Sequence, residues 1–82
     1  METYYITFRS VTYAQRGERA LMRRGISCYM QRTPRWMEER GCGYALSLQR
    51  LQEAVEILDR EGISWRKLYR KGQDGNIQEV EL

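Results

Sequence analysis

Histidine is absent from this chain, cysteine occurs twice, and there is one proline and one phenylalanine. Without histidine there is no imidazole base and no His ligand, so conventional acid–base catalysis and a zinc site both lose their usual groups. The two cysteines, Cys28 and Cys42, are too few for a disulfide scaffold. No apolar run approaches the roughly 20 residues that span a bilayer. Met1 and Glu2 lead straight into a strand-like run, and no basic stretch precedes an apolar one as in a secretory signal. The expected setting is a reducing cytoplasm, with no membrane partner.

What is present is ordinary globular composition. The 82 residues are 41% hydrophobic and 30% charged, which suits one small domain rather than a disordered chain. A chain of this size buries only about 60% of its unfolded surface, so it holds one two-layer core. The net charge is +3, and arginine supplies 12 of the 14 basic residues. Guanidinium groups favour bidentate contact with carboxylates or phosphates and stacking on rings, so an anionic partner is permitted without being demanded.

Read in order, Tyr4–Phe8 is a β-branched and aromatic run with Tyr4, Ile6 and Phe8 on one face. Ser10 or Thr12 can cap the helix that follows, which would carry Val11, Ala14, Gly17 and Leu21 inward. Gly17 weakens that helix by up to about 1 kcal/mol relative to alanine and points to close packing on the sheet. Gly25 supplies a left-handed residue to end it. Ile26, Cys28 and Met30 then share one face of a second strand, which Pro34 ends. Tyr44–Leu46 reads as a third strand. Ser47 reads as the cap of an amphipathic helix with Leu48, Leu51, Ala54, Val55 and Leu58 inward, closed by Gly62. Ile63–Tyr69 reads as the fourth strand. A single domain over 1–71 is expected, with 72–82 as a tail that forms a short extra strand or stays mobile.

An internal echo supports this order. Arg24-Gly25-Ile26-Ser27 recurs as Glu61-Gly62-Ile63-Ser64 thirty-seven residues later, and at that offset Ser10 falls on Ser47 and Leu21 on Leu58. Two strand–helix–glycine–strand halves give an α+β fold, the ferredoxin-like β-α-β-β-α-β two-layer sandwich. Its antiparallel sheet would carry both helices on one face. In that register Ile6, Phe8, Ile26, Cys28, Ile63 and Trp65 face the helices. Tyr5, Tyr29, Tyr44, Leu46, Arg66 and Leu68 would line the open face. So much apolar surface on a small monomer invites a partner. Homo-oligomerisation through Tyr5, Tyr29, Tyr44, Leu46 and Leu68 is one outcome, and cover by the C-terminal tail is the other.

The chemically distinctive stretch is Thr33–Leu46, which holds Pro34, Trp36 and Cys42 between Gly41 and Gly43, with Arg32, Arg35 and Arg40 in or beside it. A thiol becomes nucleophilic when it ionises, and nearby cations favour ionisation. Flanking glycines let the backbone bend and a partner approach. Two readings of Cys42 stand: a poised thiol with Arg35 and Arg40 stabilising the thiolate, or a small residue entering a strand. Cys28 alternates with Ile26 and Met30 and behaves as a buried hydrophobe. Glu38 and Glu39 read as solvated charges, and Trp36 and Met37 as anchors of the loop.

Thr33-Pro34-Arg35 followed after six residues by Cys42-Gly43, set between a Ser-capped helix with Gly25-Ile26 and a Leu-rich helix ending at Gly62-Ile63, resembles the putative selenium/sulfur carrier protein-like family of small bacterial domains. The resemblance covers roughly residues 4–70. Members often have small hydroxylated residues before the cysteine, where this chain has Glu39-Arg40-Gly41. The resemblance implies that Cys42 holds sulfur or selenium as a persulfide or perselenide, without a cofactor and without conventional catalysis. Donor and acceptor proteins would be the partners, with Pro34, Gly41, Gly43 and Tyr44 around the site.

Two other readings accompany it. Arg40–Leu46 partly imitates the ribonucleoprotein octamer of RNA-recognition domains, and Tyr5, Tyr29 and Tyr44 would be its stacking platforms. Cys42 and Ser47 fall where that octamer wants aromatic rings, which weighs against nucleic acid. A protein-interaction or regulatory module on the same scaffold would leave Cys42 inert and form a homodimer.

Overall fold

The computed structural model describes residues 2–33 and 43–82. In chain order the elements are β1 (Thr3–Thr7), α1 (Val11–Arg23), β2 (Cys28–Arg32), β3 (Tyr44–Leu48), α2 (Leu51–Arg60), β4 (Leu68–Lys71) and β5 (Ile77–Val80). Both helices end through the same local device. At α1 the Ile26 N–H donates to Leu21 O at 2.9 Å and the Gly25 N–H to Met22 O at 3.0 Å. At α2 the Ile63 N–H donates to Leu58 O at 2.9 Å and the Gly62 N–H to Asp59 O at 3.2 Å. This paired closure needs a left-handed residue, and Gly25 and Gly62 supply φ of 80° and 72°. The echo at residues 24–27 and 61–64 is therefore a repeated helix stop. Ser10 caps α1 as expected, its Oγ accepting from the Tyr13 N–H at 3.3 Å.

The sheet runs β2-β3-β1-β4-β5, and every neighbouring pair is antiparallel. The two helices share one core with one face of it. Ile6 and Phe8, Leu21 and Leu58, and Leu46, Leu48 and Leu68 belong to that single cluster of buried side chains. Gly17 does mark close packing: a Cβ there would lie 3.1 Å from Phe8 Cζ and 3.3 Å from Leu58 Cδ2. Val11, expected to point inward, is 40% exposed, and Ala20 is buried in the cluster instead. Among the described residues no helix is long and apolar enough to cross a membrane.

Three expectations are corrected, and the alternatives for the tail are resolved. Ser47 is not a helix cap but a buried residue of β3, opposite Tyr5 on one side and Tyr29 on the other. A cap is worth about 1 kcal/mol, less than the paired backbone of a central strand. Leu48 is likewise in the strand, and α2 starts after Arg50, which has no side-chain cap and instead donates through Nε to Glu53 Oε1 at 2.9 Å. The fourth strand begins at Leu68 rather than Ile63, because Ile63 is held back by its bond to Leu58. The tail takes the extra-strand alternative: Ile77–Val80 pairs with β4.

The largest correction concerns the faces. Ile6 sits opposite both Leu46 and Leu68, and residues directly opposite each other project to the same side. Leu46 and Leu68 therefore lie in the core, 0% and 2% exposed, and Tyr44, two residues before Leu46, takes the helix-side phase too. A one-residue error of phase moves a whole strand's side chains across the sheet, and burial of each leucine by about 2 kcal/mol settles which phase holds. The face away from the helices carries Tyr5, Tyr29, Thr7, Ala45, Ser47 and Tyr69. An interface through Tyr44, Leu46 and Leu68 together with Tyr5 and Tyr29 is thereby excluded as a single surface.

Gly17→Ala gains up to about 1 kcal/mol of helix propensity but forces a methyl against the fully buried Phe8 ring, a crowding that costs about 1–3 kcal/mol. The expected net result is a lower Tm in thermal unfolding, with the loss relieved when Gly17→Ala is combined with Phe8→Leu. A Gly17→Ala variant more stable than the parent would show that the α1 contact is looser than described.

Candidate functional site

The 34–42 segment joins β2 to β3, and its base is set by backbone geometry. Arg32 and Tyr44 are the last pair of the β2–β3 ladder. One step further, the Thr33 N–H donates to Gly43 O at 2.9 Å. Gly43 has φ of 80°, a conformation in which a side chain would be strained, so the glycine after Cys42 has a backbone reason to be there. Of the site residues expected from sequence, Gly43 and Tyr44 are placed together at this base. Pro34, Arg35, Arg40, Gly41 and Cys42 lie outside the described residues.

The same end of the sheet gathers further cations. Thr7, the last residue of β1, pairs with Ala45 beside Tyr44, and its carbonyl accepts from the Arg66 N–H at 2.7 Å. Arg9 follows two residues on, and α1 starts immediately after. The Arg9 guanidinium lies 5.0 Å from the centroid of the Tyr13 ring and donates through Nη2 to its hydroxyl at 3.2 Å; Arg16 lies 5.9 Å from the same ring. The hydrogen bond from Arg9 and its charge, helped by Arg16, hold the Tyr13 phenol below its ordinary pKa. Arg32 lies 5.5 Å from the centroid of the Tyr44 ring. Sequence reasoning named Arg32 but missed Arg9, Tyr13 and Arg16. Their signal was the i, i+4 and i, i+3 spacing of two arginines about a tyrosine at a helix start.

The two thiols part company here. Cys28 is 5% exposed in the core, and its Sγ lies 3.9 Å from Glu18 O. Burial, with a smaller contribution from the Glu18 charge, pushes its pKa up to about 11. A thiol so placed is protonated at neutral pH and shielded from reagents, as a structural cysteine is. Two clefts of about 460 and 540 Å³ lie at the far end of the sheet, around Gly25, Gln49 and Arg50. Neither is lined by residues of the 34–42 base.

Against this geometry, comparison with known families is informative. The model of the family described as Putative Se/S carrier protein-like matches residues 3–70. The chain belongs to that family. The match starts with the first residue of β1, spans the 34–42 segment with Cys42, and stops within β4. The β5 strand of this Se/S carrier-like domain therefore lies beyond the matched region. Neither a curated protein nor a solved structure gave a significant match.

The Cys28 thiol carries a pH signature. Because its folded-state value of about 11 lies above the ordinary thiol value of 9.0, its contribution to stability is complete below pH 9 and is lost as the pH rises toward 11. Denaturant unfolding of the Cys42→Ser variant should show this loss across pH 9–11, and Cys28→Ala in the same background should lack that component. In the same Cys42→Ser variant, the native protein is expected to resist alkylation at pH 8 and to react once unfolded. Rapid labelling of Cys28 in the native state would contradict its placement in the core.

Proposed function

We propose that this protein carries sulfur or selenium on Cys42 and is a transfer partner rather than a conventional enzyme. The observation that carries the reading is the division between the two thiols. The chain has two cysteines, and Cys28 is buried with a pKa raised to about 11. Carrier chemistry in a family so described therefore falls to Cys42, in the segment held between Thr33 and Gly43. The strand order β2-β3-β1-β4, with a helix in each crossover, supports a ferredoxin-like scaffold extended by β5.

The step balances without an external oxidant when the donor is itself a persulfide. The Cys42 thiolate attacks the terminal sulfur of R–S–SH, a new S–S bond forms on Cys42, the donor's S–S bond breaks, and R–S⁻ leaves. Delivery to an acceptor thiolate is the same exchange in reverse. Arg35 and Arg40 stabilise the charged thiolate and persulfide, and Gly41 and Gly43 keep the neighbouring backbone free of side chains. A donor and an acceptor protein are the partners, in a reducing cytoplasm.

The test has two arms. Alkylation of Cys42 in a Cys28→Ser background should show a midpoint well below the free-thiol value of about 8.5. Persulfide loading from a low-molecular-weight persulfide should be abolished by Cys42→Ser and retained by Cys28→Ser. Equal loading of the two single variants, or a normal thiol midpoint, would sink the carrier reading.

A further inference from the structure

We propose that the end of the sheet bearing the 34–42 segment is a docking surface for an acidic protein partner, contacted by Arg9, Arg16, Arg32 and Arg66. It deepens the carrier reading, since the partner would be the donor or acceptor, and rests on that reading only for the partner's role. All four arginines are exposed. The backbone brings them to one edge: Arg32 ends β2, Tyr44 begins β3 beside it, β1 ends at Thr7 just before Arg9, and Arg66 binds the Thr7 carbonyl. With strands spaced about 4.8 Å apart, the row from β2 to the start of β4 extends over about 15 Å.

Among the described residues these cations have no carboxylate partner. Elsewhere Arg23 and Arg24 are paired with Glu61, Arg50 with Glu53, and Arg70 with Glu2, while Arg19 and Arg60 have no carboxylate partner among the described residues either. Three of the four are nevertheless held in place, Arg9 and Arg16 about the Tyr13 ring and Arg32 on the Tyr44 ring. A guanidinium positioned by a ring keeps its N–H donors for an outside acceptor and loses less side-chain freedom on binding. Arginines ordered by a ring and without a carboxylate partner among the described residues are suited to planar, bidentate carboxylates on a facing surface.

The geometry favours an acidic protein over single-stranded RNA. Base stacking needs uncovered rings, and the two rings among these arginines, Tyr13 and Tyr44, already carry guanidinium groups. Tyr44 also lies on the helix-side phase of the sheet, away from Tyr5 and Tyr29. A row of this size fits a transient encounter, in which charge sets the rate of association more than the final affinity.

The decisive experiment titrates the full-length ¹⁵N-labelled chain with a deca-glutamate peptide and, separately, with decauridylate RNA. Deca-glutamate should shift the amides of residues 8–16, 32–33 and 65–67, and the shifts should shrink as salt is raised. Reversal of Arg9, Arg16 and Arg66 to glutamate should weaken peptide binding by about tenfold or more at low salt. An equal change of net charge elsewhere, by reversal of Arg19, Arg24 and Lys71, should leave most of it. Absence of peptide binding, shifts centred elsewhere, equal loss in the two triple variants, or tighter binding of decauridylate would overturn the proposal. Persulfide loading from a low-molecular-weight donor separates the two readings. Loading that fails with docking intact removes the carrier function alone, and docking that fails with loading intact removes this surface alone.

Discussion

The architecture depends on one strand, β1, being shared by both halves of the chain. Ile6 lies opposite Leu46 of β3 and Leu68 of β4. All three are buried under the helices. Two residues on, Phe8 closes the same core against the one place on α1 where no Cβ intervenes. A small domain has little surplus hydrophobic burial, so a strand that contributes to the packing of both helices is where its stability concentrates. The site inherits its geometry from that strand, since the end of β1 aligns the base of the 34–42 segment, the start of α1 and the approach to β4.

The chemistry of Cys28 follows from its surroundings rather than from the residue type. Desolvation disfavours the thiolate, and Cys28 is buried in the core with the Glu18 charge adding a smaller push in the same direction. Cys42 is followed in the chain by Gly43, which adopts a left-handed conformation just beyond the last pair of the β2–β3 ladder. Cys28 serves packing, and the transfer chemistry proposed above is assigned to Cys42.

The arginines divide in the same manner. Those paired with Glu61, Glu53 or Glu2 contribute to the surface charge pattern in the ordinary way, with modest energies. Three of those at the 34–42 end, Arg9, Arg16 and Arg32, rest on aromatic rings. Ring support orders a cation without neutralising it, so the potential at that end remains available to an approaching anion. Tyr44, which sequence reading treated as a stacking platform together with Tyr5 and Tyr29, supports the Arg32 guanidinium.

What the sequence by itself determined is local. The Ser10 cap, the two helix stops at Gly25 and Gly62, the inward position of Cys28 and the apolar stripe of α2 each involve residues within one or two turns of one another, so their spacing is sufficient to specify them. What only the tertiary structure decided depends on partners far apart in the chain. The phase of β3 and β4, which buries Leu46 and Leu68, is set by Ile6 some forty and sixty residues away. The same holds for Ser47, which reads locally as a cap and is claimed by the ladders to Tyr5 and Tyr29. The alignment of Arg9, Arg32 and Arg66 belongs here too, because strand order brings those positions to one end of the sheet. A period of two leaves each strand's phase open, and only burial against a distant partner makes one phase several kcal/mol better than the other.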